Sequence, residues 1–470
     1  MSIKTDVKSI LNDVDGVLLK GSKESKITSF STDSRYLEEG ALFIALVAER
    51  DGHSFIPVAV EKGASALLVS DEKYNYPDGV AVILVKDTLF ALGEIAKAFI
   101  EKKHPKVIGI TGSNGKTSTK EMLASILDQV APTLRNEGNF NNLIGLPWTI
   151  FRLEEHHEYA VLEMGMNAFG EIARLAEIAK PQIGLITSVA PAHLEGLGSI
   201  EGVAKAKGEL FQALSDDGVA IINADDPHIF AQSKLISSRK FYFSSMLPPS
   251  KNIPQDADFI ALSSLNPLQE QGFRFVVQPS HAETFEVILP LVGRHQVSNA
   301  LGAIATALVL GIPKSAIVQG LAHVKPEGRR LRLLTSSKGI HLLDDCYNSN
   351  PTSCLAALKT LQELSQNNDS IAVLGDMLEL GKNEKQAHEE IGRFVATSGV
   401  NTLFAFGKLS KYIAKGASQA TQKPQTIIHS LNINEIKEKL TPLLKKNSWI
   451  LVKASRGMKL ERISQLIETL

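Results

Sequence analysis

One stretch in the first third of the chain decides the fold, and it reads Val107-Ile108-Gly109-Ile110-Thr111-Gly112-Ser113-Asn114-Gly115-Lys116-Thr117-Ser118. An apolar run from Lys106 to Ile110 enters a glycine turn, and helix-forming residues follow from Thr119 to Leu127. The order of strand, glycine-rich loop and helix predicts a phosphate-binding loop, because backbone N–H groups and the positive end of a helix attract phosphate oxygens. In such a loop Lys116 is expected to reach the β- and γ-phosphates and the Thr117 hydroxyl to bind Mg²⁺.

The loop departs from the strict G-x-x-x-x-G-K-[ST] pattern. Ile110 stands where that pattern has its first glycine, and the glycines present are Gly112 and Gly115. The alternative is a glycine-rich turn with a surface lysine. The order of the predicted elements favours a tight phosphate-binding turn of related design.

Bulk composition excludes several classes of protein. A length of 470 residues predicts about three domains, and a net charge of −1 gives no general reason to bind nucleic acid or an anionic membrane. No apolar run approaches the ~20 residues of a spanning helix, and Met1 to Asp6 has no apolar signal region. Two cysteines, Cys346 and Cys354, do not form a disulfide scaffold. We expect a cytoplasmic, monomeric enzyme or binding protein without nucleic-acid partner or membrane insertion.

The order of apolar runs and turns predicts an α/β protein. Residues 1–82 are expected to form a small α/β domain, since strand, helix and strand follow one another between residues 40 and 69. Residues 83–321 form a central domain with a parallel sheet, to which short strands between 257 and 292 add a small antiparallel part. Residues 322–470 again alternate strands and helices and form a second parallel α/β domain.

Polar residues at strand ends predict a site near the phosphate loop. Glu163 and His193 each follow an apolar strand, where ligands of parallel sheets bind, and a carboxylate there can hold Mg²⁺. A helix-capping or ion-paired glutamate and a hydrogen-bonded structural histidine remain open alternatives. The asparagine-rich residues 136–142 suit a loop that binds a polar ligand, or simple turn chemistry. Lys205 and Lys207 are two positions apart on a predicted helix, so at most one points into the site.

Several motifs together resemble the Mur ligases, the ATP-dependent amide-forming enzymes of peptidoglycan assembly. Residues 111–117 match the family's T-G-x-N-G-K-T, residues 206–211 match A-K-x-x-[LI]-F, and residues 293–299 match G-x-H-x-x-x-N. Gly328 and Arg329 match a Gly-Arg pair before the last domain. The resemblance covers essentially the whole chain. It implies three domains: a UDP-substrate-binding domain, a P-loop ATPase-like centre, and a Rossmann-like C-terminal domain that binds the incoming amine and closes on ATP.

The resemblance also implies cofactors and residue roles. It implies Mg²⁺ and ATP, with the nucleotide held by Gly112, Ser113, Asn114, Gly115, Lys116, Thr117, Ser118, Asn299, Arg329 and Asp345. The implied magnesium ligands are Thr117, Glu163, His193 and Lys207, the last as a carbamate, whereas Lys205 does not match. The implied catalytic residues are Lys116, Lys207, His193 and Arg329. Arg330 stands where the family usually has an apolar residue.

Within the family, the chain is most similar to the member that adds D-alanyl-D-alanine to UDP-MurNAc-tripeptide through an acyl phosphate, in the last cytoplasmic step towards UDP-MurNAc-pentapeptide. The matching stretches are 139–147, 344–350, 375–381 and 452–456, in the last of which Ala454 replaces a glycine. The implied substrate-binding residues are Ser34, Arg35, Asn139, Asn141, Asn142, Asn348, Lys453, Ser455 and Arg456.

Three other functions remain as alternatives. A ligase of the same fold could add diaminopimelate, lysine or glutamate, although the D-N-P-R motif of the diaminopimelate- or lysine-adding ligase is absent. A nucleotide-dependent switch is disfavoured because residues 223–226 lack the lysine of a guanine-reading N-K-x-D. An inactive scaffold is disfavoured because every expected catalytic position is filled.

Overall fold

The computed structural model describes residues 4–268, 271–366 and 368–470. The sequence of Met1 to Asp6 predicts no signal region, and the first three of these residues lie outside the described range. Three β-sheets with packed helices follow one another along the chain, as predicted. Within the described ranges, every helix is too short or too polar to cross a bilayer.

The N-terminal unit is a five-stranded sheet in the order β2-β7-β6-β5-β4, beside a two-stranded β1-β3 pair. Strands β4 to β7 pair in parallel, which confirms the predicted parallel pairing, and β2 is antiparallel. Because β7 pairs with β6, this unit extends to Leu84, and the predicted boundary after residue 82 was placed too early. Its elements are β1 (Thr5–Asp6), α1 (Val7–Asp13), β2 (Val17–Lys20), β3 (Lys26–Ile27), β4 (Ser29–Ser31), β5 (Ala41–Ile44), α2 (Ile56–Glu61), β6 (Ala66–Val69) and β7 (Ala81–Leu84).

The central unit is a nine-stranded sheet in the order β16-β15-β14-β13-β12-β11-β8-β10-β9. Strand β8, which leads into the phosphate loop, pairs in parallel with β10 and β11 and is buried from Val107 onward. A strand buried on both faces reads as a continuous apolar run, and this is why it stood out in the sequence. The elements are α3 (Thr88–Lys103), β8 (Lys106–Thr111), α4 (Lys116–Leu127), β9 (Thr133–Arg135), α5 (Gly145–Ile150), β10 (Tyr159–Glu163), α6 (Glu171–Ala179), β11 (Ile183–Ile186), α7 (Leu194–Leu197), α8 (Ile200–Gln212), β12 (Val219–Asn223), α9 (Pro227–Ser233), β13 (Arg239–Ser244), β14 (Phe259–Pro267), β15 (Phe273–Pro279), β16 (Phe285–Leu289), α10 (His295–Val309) and α11 (Lys314–Ala322).

The predicted antiparallel addition is present, and it forms one edge of this same sheet. Strand β14 pairs in parallel with β13 and antiparallel with β15, which in turn pairs antiparallel with β16. The addition therefore extends the central sheet and is not a separate layer.

The C-terminal unit is a six-stranded sheet in the order β17-β18-β22-β19-β20-β21, parallel except for β17. The predicted second parallel α/β domain is thus confirmed. Its elements are β17 (Arg332–Thr335), β18 (His341–Asp345), α12 (Pro351–Ser365), β19 (Ser370–Gly375), α13 (Glu384–Thr397), β20 (Thr402–Phe406), α14 (Lys411–Gln419), β21 (Thr426–Ser430), α15 (Ile433–Leu440), β22 (Trp449–Lys453) and α16 (Glu461–Glu468).

The hydrophobic cores are distributed unequally among the three units. One core is shared by the N-terminal and central units and contains Ile10 of α1, Ile95 of α3 and Phe151 after α5. The C-terminal sheet has a separate core on each face. The first two units are therefore joined by apolar packing, whereas the C-terminal unit meets the centre through mainly polar groups.

Candidate active site

A cavity of about 690 Å³ lies between the central and C-terminal units. The central unit contributes the loop between β8 and α4 and the residues after β10 and β11, and the C-terminal unit contributes residues 345–353 and Lys453. Its volume is that of a small-molecule site. Carboxyl ends of parallel strands from both units converge here, so the sheet geometry explains its position.

Two glycines shape the predicted phosphate loop. Gly112 has φ +150° and Gly115 has φ +84°, and a Cβ at either position would overlap the side chain of Thr187 or Asn299, respectively. Only glycine combines these backbone angles with such close approach. The loop glycines are therefore required by local packing as well as by the need to expose backbone to a ligand.

The loop is held against the end of β11 and leaves its helix end open. The Ser113 N–H donates to the Ser188 carbonyl at 2.7 Å, and the Ser113 hydroxyl donates to the Ala190 carbonyl at 3.0 Å. No side chain caps the N-terminus of α4, where Gly115 is the capping residue. The first N–H groups of α4 are thus available to an anion, as a phosphate site needs.

Lys116 lies within this loop, half-buried. Its Nζ donates to the Gly112 carbonyl at 2.6 Å. Burial lowers the pKa of Lys116, and the nearby Glu163 carboxylate opposes that shift. A cation enclosed beside the open helix end is well placed to meet phosphate oxygens.

Glu163 is buried at the end of β10 and is fully hydrogen-bonded. Its two carboxylate oxygens accept from the Thr117 hydroxyl at 2.8 Å and the Asn141 amide at 2.7 Å. Burial raises the pKa of Glu163, but attraction to Lys116, Arg330 and other cations outweighs it, so the net shift is downward. The carboxylate is therefore ionised and ready for a cation, and the capping alternative does not describe it.

Some asparagines of segment 136–142 contribute to the site, as a ligand-binding loop would, and others only stabilise a turn. Asn136 binds both backbone groups of Glu163 and Asn141 binds its carboxylate, so these two build the site. Asn142 caps the start of α5 through the N–H groups of Ile144 and Gly145, which is turn chemistry. Asn139, Asn141 and Asn142 all line the cavity.

The four predicted magnesium ligands fit a divalent cation. Thr117, Glu163, His193 and Lys207 line the same cavity. Lys207 is 2% exposed, whereas Lys205 lies over the Phe169 ring at the surface, so one lysine of the pair points inward, as predicted.

The donor chemistry of these residues also fits. Among the described residues, no three His, Cys, Asp or Glu side chains form a metal-type cluster. A cation beside Glu163 and His193 could take a further oxygen donor from the protein. Burial lowers the pKa of Lys207 well below its usual value, with Lys116 as a second cause. A neutral amine can take up CO₂ as a carbamate, which would supply that oxygen.

The structure separates the two adjacent arginines of the linker. Arg329 lies outside the cavity, where its guanidinium donates to the buried Asp344 carboxylate at 2.5 Å. Arg330 lines the cavity, stacks on the Tyr347 ring at 3.9 Å and lies close enough to Glu163 to lower the pKa of that carboxyl. Of the two arginines, Arg330 therefore faces the cavity, and the role predicted for Arg329 at the nucleotide stays a prediction.

The C-terminal side of the cavity carries an ion pair. Lys453 is buried and donates to Asp345 at 2.6 Å and to the Asn348 carbonyl at 3.1 Å. All three residues line the cavity, as expected of groups that meet ligands from the last domain.

Five other predicted residues do not line the cavity. Gly112 forms the back of the loop, and Ser455 is buried, where its hydroxyl accepts from the Leu378 N–H at 2.9 Å. Arg456 lies over the Tyr347 ring at 5.4 Å. Ser34 and Arg35 belong to the N-terminal unit, where Arg35 pairs with Asp33 at the surface.

Sequence reasoning missed three polar contacts around the cavity. The Asn350 amide donates to Asn114 of the phosphate loop at 2.8 Å, which ties the start of α12 to the central unit. His193 Nδ1 lies 2.8 Å from a Glu379 carboxylate oxygen of the C-terminal unit. Lys120, fully buried on α4, donates to the Asn136 carbonyl at 2.6 Å and to Glu327 of the linker at 3.3 Å.

Comparison with known proteins finds matches along most of the chain. Three family patterns match in order: "Mur ligase family, catalytic domain" at residues 26–100, "Mur ligase middle domain" at 110–307 and "Mur ligase, glutamate ligase domain" at 329–456. The chain is 38% identical to UDP-N-acetylmuramoyl-tripeptide–D-alanyl-D-alanine ligase of Bacillus subtilis over 99% of both chains. It is 37% identical to the Escherichia coli enzyme of that name over 98% of both.

Solved structures agree with the sequence relatives. A crystal structure of MurF from Acinetobacter baumannii superposes with a TM-score of 0.88 at 30% identity, over 100% of both chains. MurF ligase from Thermotoga maritima in complex with ADP superposes with a TM-score of 0.80 at 26% identity, over 94% of this chain and 97% of that one. Sequence, fold and site geometry together establish that this chain belongs to the Mur ligase family.

Proposed function

We propose that this protein is the ATP-dependent ligase that joins D-alanyl-D-alanine to UDP-MurNAc-tripeptide. One observation carries the proposal: a phosphate loop with a buried, hydrogen-bonded carboxylate faces a second, polar α/β unit across a single cavity. Such a cavity can hold a nucleotide, an acid and an amine together. The names of the Bacillus subtilis and Escherichia coli relatives support these substrates.

The chemistry needs activation because a carboxylate is a poor acceptor for an amine. The tripeptide carboxylate attacks the γ-phosphorus of ATP, a P–O bond breaks, and ADP leaves. The amine of D-alanyl-D-alanine then attacks the acyl phosphate carbon, loses a proton, and inorganic phosphate leaves from a tetrahedral intermediate. Neither step requires a nucleophile from the protein.

Residues on both sides of the cavity neutralise charge during phosphoryl transfer. Lys116 and the open N-terminus of α4 bind the phosphates, and Arg330, stacked on Tyr347, supplies a second cation on the γ-phosphate side. We assign this role to Arg330 in place of Arg329. Asn299, which packs against Gly115, and Asp345 complete the nucleotide site.

Magnesium belongs to the same proposal. Thr117, Glu163, His193 and carbamylated Lys207 would hold it, and when bound it would offset the charge of two approaching anions. The protein favours the ionised form of Glu163 mainly through the charges of Lys116 and Arg330, while hydrogen bonds from Asn141 and Thr117 orient the carboxylate before a cation arrives.

The remaining assignments follow the units of the fold. The N-terminal unit, with Ser34 and Arg35, would bind the UDP end, and the C-terminal unit would bind the dipeptide near Asn348 and Lys453. Ser455 and Arg456 would act indirectly, through residues 347–349. We further propose that the protein acts as a cytoplasmic monomer without nucleic-acid or membrane partners.

An ADP-release assay tests the function. UDP-MurNAc-tripeptide and ATP are supplied with D-alanyl-D-alanine, diaminopimelate, lysine or glutamate as the amine. We expect sustained ADP release only with D-alanyl-D-alanine, and none from Lys116→Ala. A preference for another amine would reassign the protein within the family, and hydrolysis independent of any amine would favour a nucleotide switch.

A further inference from the structure

We propose that Glu379 of the C-terminal unit is a positioning residue for His193, so that approach of this unit completes the cation site of the central unit. The inference deepens the proposed function and rests on it for the role of His193. Glu379 does not itself line the cavity.

The contact fixes which ring nitrogen of His193 is free. Nδ1 lies 2.8 Å from the Glu379 carboxylate, so Nδ1 carries the proton and donates it. Nε2 is then the ring nitrogen left to face a cation, and His193 lines the cavity together with Glu163 and Lys207. A carboxylate on the far side of a ligating histidine sets its tautomer and ring orientation and raises its basicity.

Both residues of the contact have a costly backbone conformation. His193 has φ +54° and Glu379 has φ +65°, in the left-handed region that residues with a Cβ avoid. Such conformations persist where the surroundings hold them, and they cluster at functional sites. Two of them facing each other across a unit boundary are a second observation, independent of the distance.

The segment around Glu379 is anchored so that its side chain points away from its own unit. The Met377 N–H donates to the buried His388 ring at 3.0 Å, and Met377 and Leu380 are both buried. A Cβ on Gly381 would lie 3.8 Å from the backbone of Glu195. The two units are therefore also in contact two residues after His193 and two residues after Glu379.

The consequence is a linkage between cation affinity and the position of the C-terminal unit. His193 is oriented by Glu379 only when the units are together, so a bound cation favours the closed arrangement by the same factor by which closure favours the cation. In the alternative interpretation, His193 and Glu379 form a partly exposed ion pair that contributes little to stability. The two alternatives differ in what removal of Glu379 does to cation binding.

The test uses Mn²⁺ as the probe. Free Mn²⁺ is counted by electron paramagnetic resonance with the full-length protein and saturating ADP, for wild type, Glu379→Ala, Glu379→Gln and the control Glu438→Ala. Glu438 is exposed on α15, away from the cavity. We expect Glu379→Ala to weaken Mn²⁺ binding about tenfold or more, Glu379→Gln to retain most of the affinity because its amide oxygen still accepts, and the control to match wild type.

A double variant shows whether Glu379 acts through His193. In a His193→Ala background, Glu379→Ala should weaken Mn²⁺ binding no further. Wild-type affinity in Glu379→Ala, or an equal loss in both backgrounds, would overturn the proposal. Because Mn²⁺ binding requires neither peptide substrate nor turnover, a failure of the ligase assay would not be mistaken for a failure here.

Discussion

Arg329 and Arg330 are neighbours in the chain, yet replacing each by methionine should affect different properties. Arg329→Met removes the partner of Asp344, whose side chain is 0% exposed. Loss of one member of a buried pair costs 3–5 kcal/mol, roughly. The Ser464 hydroxyl and the Cys346 thiol still donate to Asp344 at 2.9 and 3.0 Å. We therefore expect a loss of about 3 kcal/mol, which lowers the unfolding midpoint of a unit of this size by about 10 °C.

Arg330→Met should instead lower turnover. Its ring contact with Tyr347 is worth about 1 kcal/mol of stability, so the midpoint should move by only about 3 °C. Removal of an arginine from a transferring phosphoryl group lowers kcat by about 10³-fold or more.

Differential scanning calorimetry and ADP release, measured on both variants, separate these effects. The assignment is refuted if Arg330→Met turns over normally while Arg329→Met, still folded at the assay temperature, does not. Equal losses of turnover in two equally stable variants would also contradict it, because the two side chains would then share one role.

Variants at three further positions test other parts of the site. Lys116→Ala should abolish ADP release at unchanged thermal stability, and substantial turnover would refute the phosphate role. Lys207→Ala should be inactive and partly rescued by short carboxylic acids in the same assay, whereas full unaided activity would remove its metal role. Because burial lowers the pKa of Lys207, this lysine binds more protons in the unfolded chain than in the folded one between its lowered folded pKa and pH ~10.5. In CO₂-free buffer the unfolding free energy should thus rise with pH up to that value, and Lys207→Met, measured by urea unfolding, should reduce the slope. Lys120→Met removes the buried cation that contacts Glu121 at 2.9 Å and Glu327 at 3.3 Å, and it should cost about 1–3 kcal/mol by the same measurement; Lys120→Arg is the matched control, and equal stability of Lys120→Met and wild type would dismiss the contact.

Local pattern predicted the part of the site that follows directly from sheet geometry. Strand β8, its glycine turn and α4 follow one another in sequence, and the ends of parallel strands meet at one edge, so Thr117, Glu163 and His193 converge as expected. The spacing of Lys205 and Lys207 on α8 likewise decided that one of them would face inward.

Contacts between distant residues left no such local signal. Lys120 and Glu327 are 207 positions apart, and their pairing depends on how the linker crosses α4. One hint was present, because Lys120 falls on the same helical face as the buried Leu123 and Leu127. The different surroundings of Arg329 and Arg330 were beyond pattern reasoning, since they depend on where Asp344 and Tyr347 lie in the folded chain.

The central claim, that the loop between β8 and α4 holds the triphosphate, is tested most directly by a crystal structure with Mg²⁺ and a non-hydrolysable ATP analogue. We expect the β- and γ-phosphates on the N–H groups that open α4, with Lys116 Nζ moved from the Gly112 carbonyl to a phosphate oxygen. An analogue bound elsewhere, with Lys116 still on Gly112, would contradict the account.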